Sequence, residues 1–167
     1  MTTLAEAAAQ ADALARDNDV KGLANLRAEW SDELEAAARS RDFRERAVAY
    51  RAIGQFRHRQ KMELLRRGLE DESPACRGTA LLSLELLSRD HPGDVNELRP
   101  LLHAMVNADD NDAVRRLAVV NLRNGSPQRQ TLQLLEHLAS DDEQGRELRG
   151  AAEKVAAEMK KRLGPGR

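Results

Sequence analysis

The stretch "DESPACRGTALLSLELL", residues 71–87, decides the fold. Asp71 offers a turn carboxylate. Ser73 and Pro74 read as an N-cap followed by proline at the first helical position. In the apolar run that follows, Arg77 stands where burial begins and Ala80 lies one helical turn further on. The phrase returns at residues 109–122 as "DDNDAVRRLAVVNL", with Arg115 in the place of Arg77 and Ala118 in that of Ala80. The same frame catches "DFRERAVAYRAIGQF" through Arg46 and Ala49, and "GRELRGAAEKVAAEM" through Arg149 and Ala152. Spacings between the arginines are 31, 38 and 34 residues, and six residues before each stand Ser40, Asp71, Asp109 and Glu143, all hydrogen-bond acceptors. Self-similarity at such a period is the signature of stacked helical or solenoid units.

Each anchored helix is preceded by a shorter amphipathic one: "DELEAAARS", "QKMELLRRGLED", "RPLLHAMVNAD" and "PQRQTLQLLEHLASDD". Breaks between pairs carry turn chemistry. "SRDHPGD" reads as a loop, and "NGSP" reads as a glycine C-cap followed by a Ser N-cap and a helix-opening proline. Asp94 and Glu97 have capping-box spacing, with Pro100 predicting a kink or a late helix start. A further pair, about 3–16 and 19–30 around the turn "DND", lacks an arginine anchor, as terminal repeats often do. The expected organisation is a single repeat domain over residues 1–163. Its atypical first pair covers about 3–30, its repeats about 32–57, 60–88, 94–124 and 126–163, and residues 164–167 form a frayed end and tail.

Composition agrees with helices. Of 167 residues 33% are charged and only 2% aromatic, Trp30, Tyr50, Phe43 and Phe56 being the four rings. Ala, Leu, Glu and Arg dominate, all strong helix formers, so the fold class is all-α. A core of Leu and Ala suits closely packed helices better than a deep, ring-lined ligand cavity. Net charge is −1, but its distribution alternates. Residues 1–38 carry three cationic and eight anionic side chains, residues 39–67 carry ten against three, and residues 68–98 carry two against seven. Such alternation is the main functional hint in the chain. Cys76 is the one cysteine, so neither an internal disulfide nor a cysteine metal cluster is expected. No secretory leader is read at the start and no run reaches 18 apolar residues, so a cytoplasmic location is the default expectation.

The turn acid, six-residue step and arginine, leading into Ala and Leu positions, resemble the HEAT repeat over residues 32–162, best at Asp71–Leu87 and Asp109–Leu122. Tetratricopeptide and ankyrin signatures are missing. The resemblance implies a right-handed α-solenoid of about five antiparallel helix pairs, in which Asp71, Arg77, Asp109, Arg115 and Arg149 form a structural ladder between successive units. An arginine fork can satisfy a carboxylate and free backbone carbonyls together, which lysine cannot copy. The sequence departs from the family pattern at Ser40 and Glu143, which replace the turn aspartate, and at Glu45.

His58, His91, His103 and His137 are scattered, with no HExxH and no i, i+4 pair, and read as solvated or capping residues. His103 and His137 are 34 residues apart, a repeat interval that would stack them on neighbouring first helices. The paired His-Glu motifs of iron-binding HEAT enzymes are absent, as are GxxxxGK[ST], GxGxxG and GxSxG. "DDND" and "SDDEQ" lack EF-hand spacing and read as turn acids at helix N-termini. Catalytic residues, cofactors and metals are therefore expected to be none. The basic segment 39–67 is harder to explain by packing. One reading is a solvated face paired with acidic neighbours; the other is a docking patch of Arg44, Arg51, Arg57, Arg59, Arg66 and Arg67 for an acidic partner. In the implied solenoid, second helices line a concave groove, which places part of this charge inside it. The expected function is a non-catalytic adaptor or scaffold for another protein. Backbone-only nucleic-acid binding, as in HEAT-like glycosylases, and a HEAT-like lyase or enzyme subunit are the alternatives. Oligomeric state is left open.

Overall fold

A computed structural model of the chain describes residues 2–165. Among them are nine α-helices, one short 3-10 turn and no strand. The chain divides into two compact units, Met1–Leu87 and Ser88–Arg167. The first unit holds α1 (Leu4–Arg16), α2 (Val20–Ala38), α3 (Phe43–Gln55), a 3-10 turn (Arg59–Lys61), α4 (Met62–Leu69) and α5 (Pro74–Ser88). The second holds α6 (Pro92–Ala108), α7 (Asp112–Leu122), α8 (Arg129–Ser140) and α9 (Arg146–Leu163).

Local chemistry starts most of these helices. Thr3 and Glu6 close a reciprocal capping box on α1, with bonds of 3.2 and 2.9 Å. Asp19 caps α2 through the Gly22 N–H, and Asn111 caps α7 through that of Val114. α1 ends in the turn 17–19, where Asn18 takes a left-handed φ of 57° that reverses the chain. The face of α1 that packs on α2 and α3 consists of Ala7, Ala8 and Ala11, all fully buried. Leu34, Ile53, Phe56, Leu65, Leu69, Leu81 and Leu84 fill the first core. Val95, Leu102, Val106, Leu122, Leu135 and Met159 fill the second. Each such side chain contributes about 1.5–3 kcal/mol on leaving water, the main term opposing chain entropy.

Three boundaries differ from those read in the sequence. The break expected between residues 30 and 32 is absent: α2 runs unbroken from Val20 to Ala38. Ser31 and Asp32 resemble an N-cap, but no Gly or Pro interrupts them, and Trp30 and Leu34 keep one apolar stripe in helical register. The second helix of the expected N-terminal pair and the first helix of the next repeat are thus one helix, leaving α1 followed by four pairs. α6 begins at Pro92, inside the expected loop, and continues through Pro100. α8 begins at Arg129, because Ser126 is held by Arg99 and by the Asn96 side chain instead of capping. Of the expected tail 164–167, Gly166 and Arg167 lie outside the described residues; α9 itself stays helical to Leu163, with Arg162 bonded to the Arg123 and Gly125 carbonyls.

Candidate functional site

The turn between the two helices of each pair is built the same way four times. Ser40 accepts the N–H of Asp42, Asp71 that of Ser73, Asp109 that of Asn111 and Asp141 that of Glu143, each two residues on. The fourth acceptor is therefore Asp141 and not Glu143, because the last turn is two residues longer. Hydrogen bonds from Gln144 and the Glu143 N–H hold the Asp141 carboxyl below the usual range.

The anchor arginines close on these turns. Arg46 donates from Nε and Nη2 to the two oxygens of Asp71, at 2.9 and 3.1 Å, and from Nη1 to the Ser40 and Arg41 carbonyls, at 3.0 and 3.1 Å. One guanidinium thus ties its own turn to the next. Asp71 is desolvated, which raises a carboxyl pKa, yet the Arg46 fork and the Ser73 N–H outweigh burial and leave it lowered. Arg46 is raised above the ordinary guanidinium value chiefly by its bond to Asp71. Arg77 repeats the backbone part, donating to the Asp71 and Glu72 carbonyls at 2.9 and 3.2 Å. Arg115 donates to the Val106 carbonyl at 2.8 Å and reaches Gln144 Oε1 at 2.9 Å, an amide where the other turns carry acids. Arg149 lies 3.5 Å from the exposed Asp142 carboxylate.

The six arginines of the expected docking patch fall in three places. Arg57 ends α3 with a left-handed φ of 52° and turns back on the fold. Its Nη1 donates to Asp12 at 2.8 Å and to the Gly54 and Gln55 carbonyls at 2.9 and 3.2 Å. Arg59, in the following 3-10 turn, is exposed and has a partner within the fold. Nearby Lys61 pairs with Glu35, which lowers the Glu35 pKa. Arg66 and Arg67 are exposed in the last turn of α4, where they complement its C-terminal dipole. Arg44 and Arg51 lie seven residues apart on one side of α3, with Val48 between them.

That side of α3 is where charge is left over. Arg46, Arg57 and Lys61 each meet a carboxylate in the first unit, whereas Arg44, Arg51, Arg66 and Arg67 make no ion pair among the described residues. Nη1 of Arg51 is buried without an acceptor, and the Arg44 guanidinium lies over the Phe43 ring at 5.7 Å. Apolar surface accompanies them: Phe43 is 45% exposed, Val48 38%, and Leu82, at the position of α5 equivalent to Arg51, 41%. The arginines stand out in the sequence, whereas these exposed hydrophobes do not. The signal was present in the repeat frame, which aligns 44, 48 and 51 with 75, 79 and 82. A groove of Leu4, Ala37, Arg44 and Val48, with Glu33 and Glu45 also in its walls, continues this surface towards α1 and α2.

The remaining candidates are separate from one another. Burial lowers the pKa of His58, which contacts Gln60 at 3.1 Å. His103 meets the Thr131 hydroxyl at 2.9 Å, while His137 is exposed on the same helix as Thr131, so the two repeat-spaced histidines do not stack. Cys76 is buried and gives its S–H to the Phe43 carbonyl at 3.2 Å; desolvation pushes its pKa up. Among the described residues no group of three or more His, Cys, Asp or Glu is placed to hold a metal ion, and no helix is long and apolar enough to cross a membrane.

A family model described as HEAT repeats matches residues 31–123, more than half of the chain. No curated protein and no solved structure gives a match. In the matched span, the Arg46–Asp71 bond ties one repeat turn to the next within the first unit. The stretch also includes the α3 side with its leftover cations.

Proposed function

The chain belongs to the HEAT-repeat family, whose repeats generally mediate protein–protein interaction, and from that premise we propose that it is a non-catalytic adaptor whose α3–α5 side docks an acidic, amphipathic segment of another protein. The observation that carries this reading is the leftover charge. Arg44 and Arg51 share a face of α3 with exposed Val48, exposed Leu82 holds the equivalent position of α5, and neither arginine forms an ion pair among the described residues. A partner helix or strand with acids flanking an apolar residue would answer both features. Since the face is built on helices, little ordering entropy opposes docking. The arginines would steer encounter and fix register more than they add raw affinity.

Arg57 enters this reading differently from Arg44 and Arg51, because its guanidinium already holds Asp12 and the end of α3. Arg57→Glu is expected to lower folding stability by about 1–3 kcal/mol, from lost bonds and a new like charge facing Asp12. Thermal melting checks this; an unchanged transition would mean that Arg57 is free to serve a partner.

The adaptor reading is tested with Arg44→Glu/Arg51→Glu, a double reversal of side chains that bear no internal pair. Crosslinking and affinity capture from the native host, at low and at raised salt, should show partners kept by the wild type and lost by the variant, with melting unchanged. Identical capture by both proteins places docking elsewhere. Fluorescence anisotropy with duplex DNA in low salt separates the nucleic-acid alternative, since phosphate-backbone binding would be strong there and fall steeply as salt rises.

A further inference from the structure

Arg99, in the middle of α6, is 93% buried, yet no carboxylate is among its partners. Its Nη1 donates to the Thr131 hydroxyl at 2.8 Å, and its Nη2 to Asn96 Oδ1 and to the Ser126 carbonyl, both at 2.7 Å. That accounts for three of the five guanidinium N–H groups; Nε–H and the second Nη1–H have no acceptor among the described residues. A second guanidinium is close. Arg162 of α9 donates to the Arg123 and Gly125 carbonyls of the same loop, and it adds repulsion to the desolvation that already lowers the Arg99 pKa.

A purely structural role explains the bonds but not the charge. Any neutral donor of similar length could hold the Ser126 carbonyl and the Thr131 hydroxyl. Burying a cation with no anion beside a second cation is instead a standing cost. Arg99 also lines an open pocket together with Asn96, His103, Ser126, Gln128 and Gln130. The N-terminus of α8 opens at this pocket: Gln128 forms no side-chain cap, and the first turn carries no acid. Free backbone N–H groups and the positive end of the helix dipole therefore add to the guanidinium. Burial and the nearby Arg99 hold the His103 pKa below the ordinary imidazole value, and a negative group entering the pocket would favour its protonated form.

We propose that this pocket of the second unit binds a phosphate monoester, whose oxygens take the two open N–H groups of Arg99 and the first-turn amides of α8. A dianion with three acceptor oxygens matches the donor set better than a carboxylate with two, because the donors come from two helices and carry more than one positive charge. The site shares no residue with the α3–α5 side and stands or falls independently of the adaptor reading.

The full chain, isotope-labelled at arginine and histidine, is titrated with inorganic phosphate, a phosphoserine peptide and acetate at constant ionic strength. The Arg99 Nε–H and His103 ring signals should shift saturably with a phosphate probe, with acetate at least about tenfold weaker. Tighter binding of the peptide than of inorganic phosphate assigns the group to a modified side chain; the reverse assigns a free phosphate or small ester. Because Arg99→Gln disturbs packing, the decisive variant is Gln130→Glu, which puts a carboxylate into the pocket from an exposed position. It should abolish the shift and raise thermal stability by supplying the missing counter-ion. Non-saturable shifts with both phosphate probes, acetate equal to phosphate, or undiminished binding by Gln130→Glu each overturn the assignment.

Discussion

In Asp71→Ala the unfolding free energy of the protein is expected to fall by about 2–3 kcal/mol, the range for removing one partner of a largely buried, hydrogen-bonded pair. Three bonds disappear together: both arms of the Arg46 fork and the turn bond from the Ser73 N–H. The guanidinium left behind keeps only the Ser40 and Arg41 carbonyls, and its charge stays with a side chain just 13% exposed. Glu72 does not replace the lost acid. It sits 3.9 Å from Arg46 but is 92% exposed, so Glu72→Ala should leave stability unchanged. Asp71→Asn separates the contributions, because an amide oxygen can still accept from Ser73 while the charge is gone. Denaturant titration of the three variants should rank the losses as alanine, then asparagine, then Glu72→Ala.

The same pair sets an acid limb. The folded Asp71 carboxyl is held below its ordinary value of 3.8, so the folded state binds its proton less readily than the unfolded chain does. Its contribution is complete above that value and is lost as pH falls through the lower folded pKa. The stability gap between wild type and Asp71→Ala should therefore be constant near neutrality and close below about pH 4. A gap independent of pH down to 2 would mean that the carboxylate charge contributes nothing.

How far the sequence reveals this molecule depends on how local each determinant is. Helix class and repeat period were legible, because caps, apolar spacing and the arginine frame lie within one or two turns of each other. The continuity of α2 was not: Ser31-Asp32 carries a genuine N-cap pattern, and the packing of Trp30 and Leu34 on one face overrides it. The shift from Glu143 to Asp141 was hidden for a related reason, since a fixed six-residue step cannot register a turn two residues longer. For the candidate sites, charge distribution pointed to segment 39–67 but could not separate Arg57 from Arg44. Asp12, the partner of Arg57, is 45 residues away in a helix without an anchor. Arg99 left no trace at all. Its partners at 126 and 131 arrive from another helix pair, and an arginine beside proline in an amphipathic helix reads as a surface residue until the loop folds over it.

Gly54→Ala is expected to destabilise by about 3 kcal/mol, the upper end of ordinary overpacking, although it adds one methyl group. At Gly54 helix α3 meets Ser83 of α5 so closely that a Cβ would stand 2.6 Å from Ser83 Oγ and 2.7 Å from its Cα. The Ser83 hydroxyl is locked there, accepting the Gly54 N–H at 3.0 Å and sharing its single proton between the Tyr50 and Arg51 carbonyls at 2.5 and 3.0 Å. Removing that hydroxyl in Ser83→Ala should cost only about 1 kcal/mol, because the carbonyls keep their intrahelical partners. It should not rescue Gly54→Ala either, since the shorter side chain leaves the Cα clash in place. The two helices must therefore separate, and the Ala80–Tyr50–Gly68 contact beside them, where a Cβ on Gly68 would come within 2.9 Å of both neighbours, would open with them. Separation would also move α5, which carries exposed Leu82, relative to α3, which carries Arg51 and Val48. Gly54→Ala should accordingly weaken partner capture as well as folding, whereas Ser83→Ala should leave capture intact. If Gly54→Ala melts like the wild type, the close approach of α3 and α5 is not what sets the spacing of that surface.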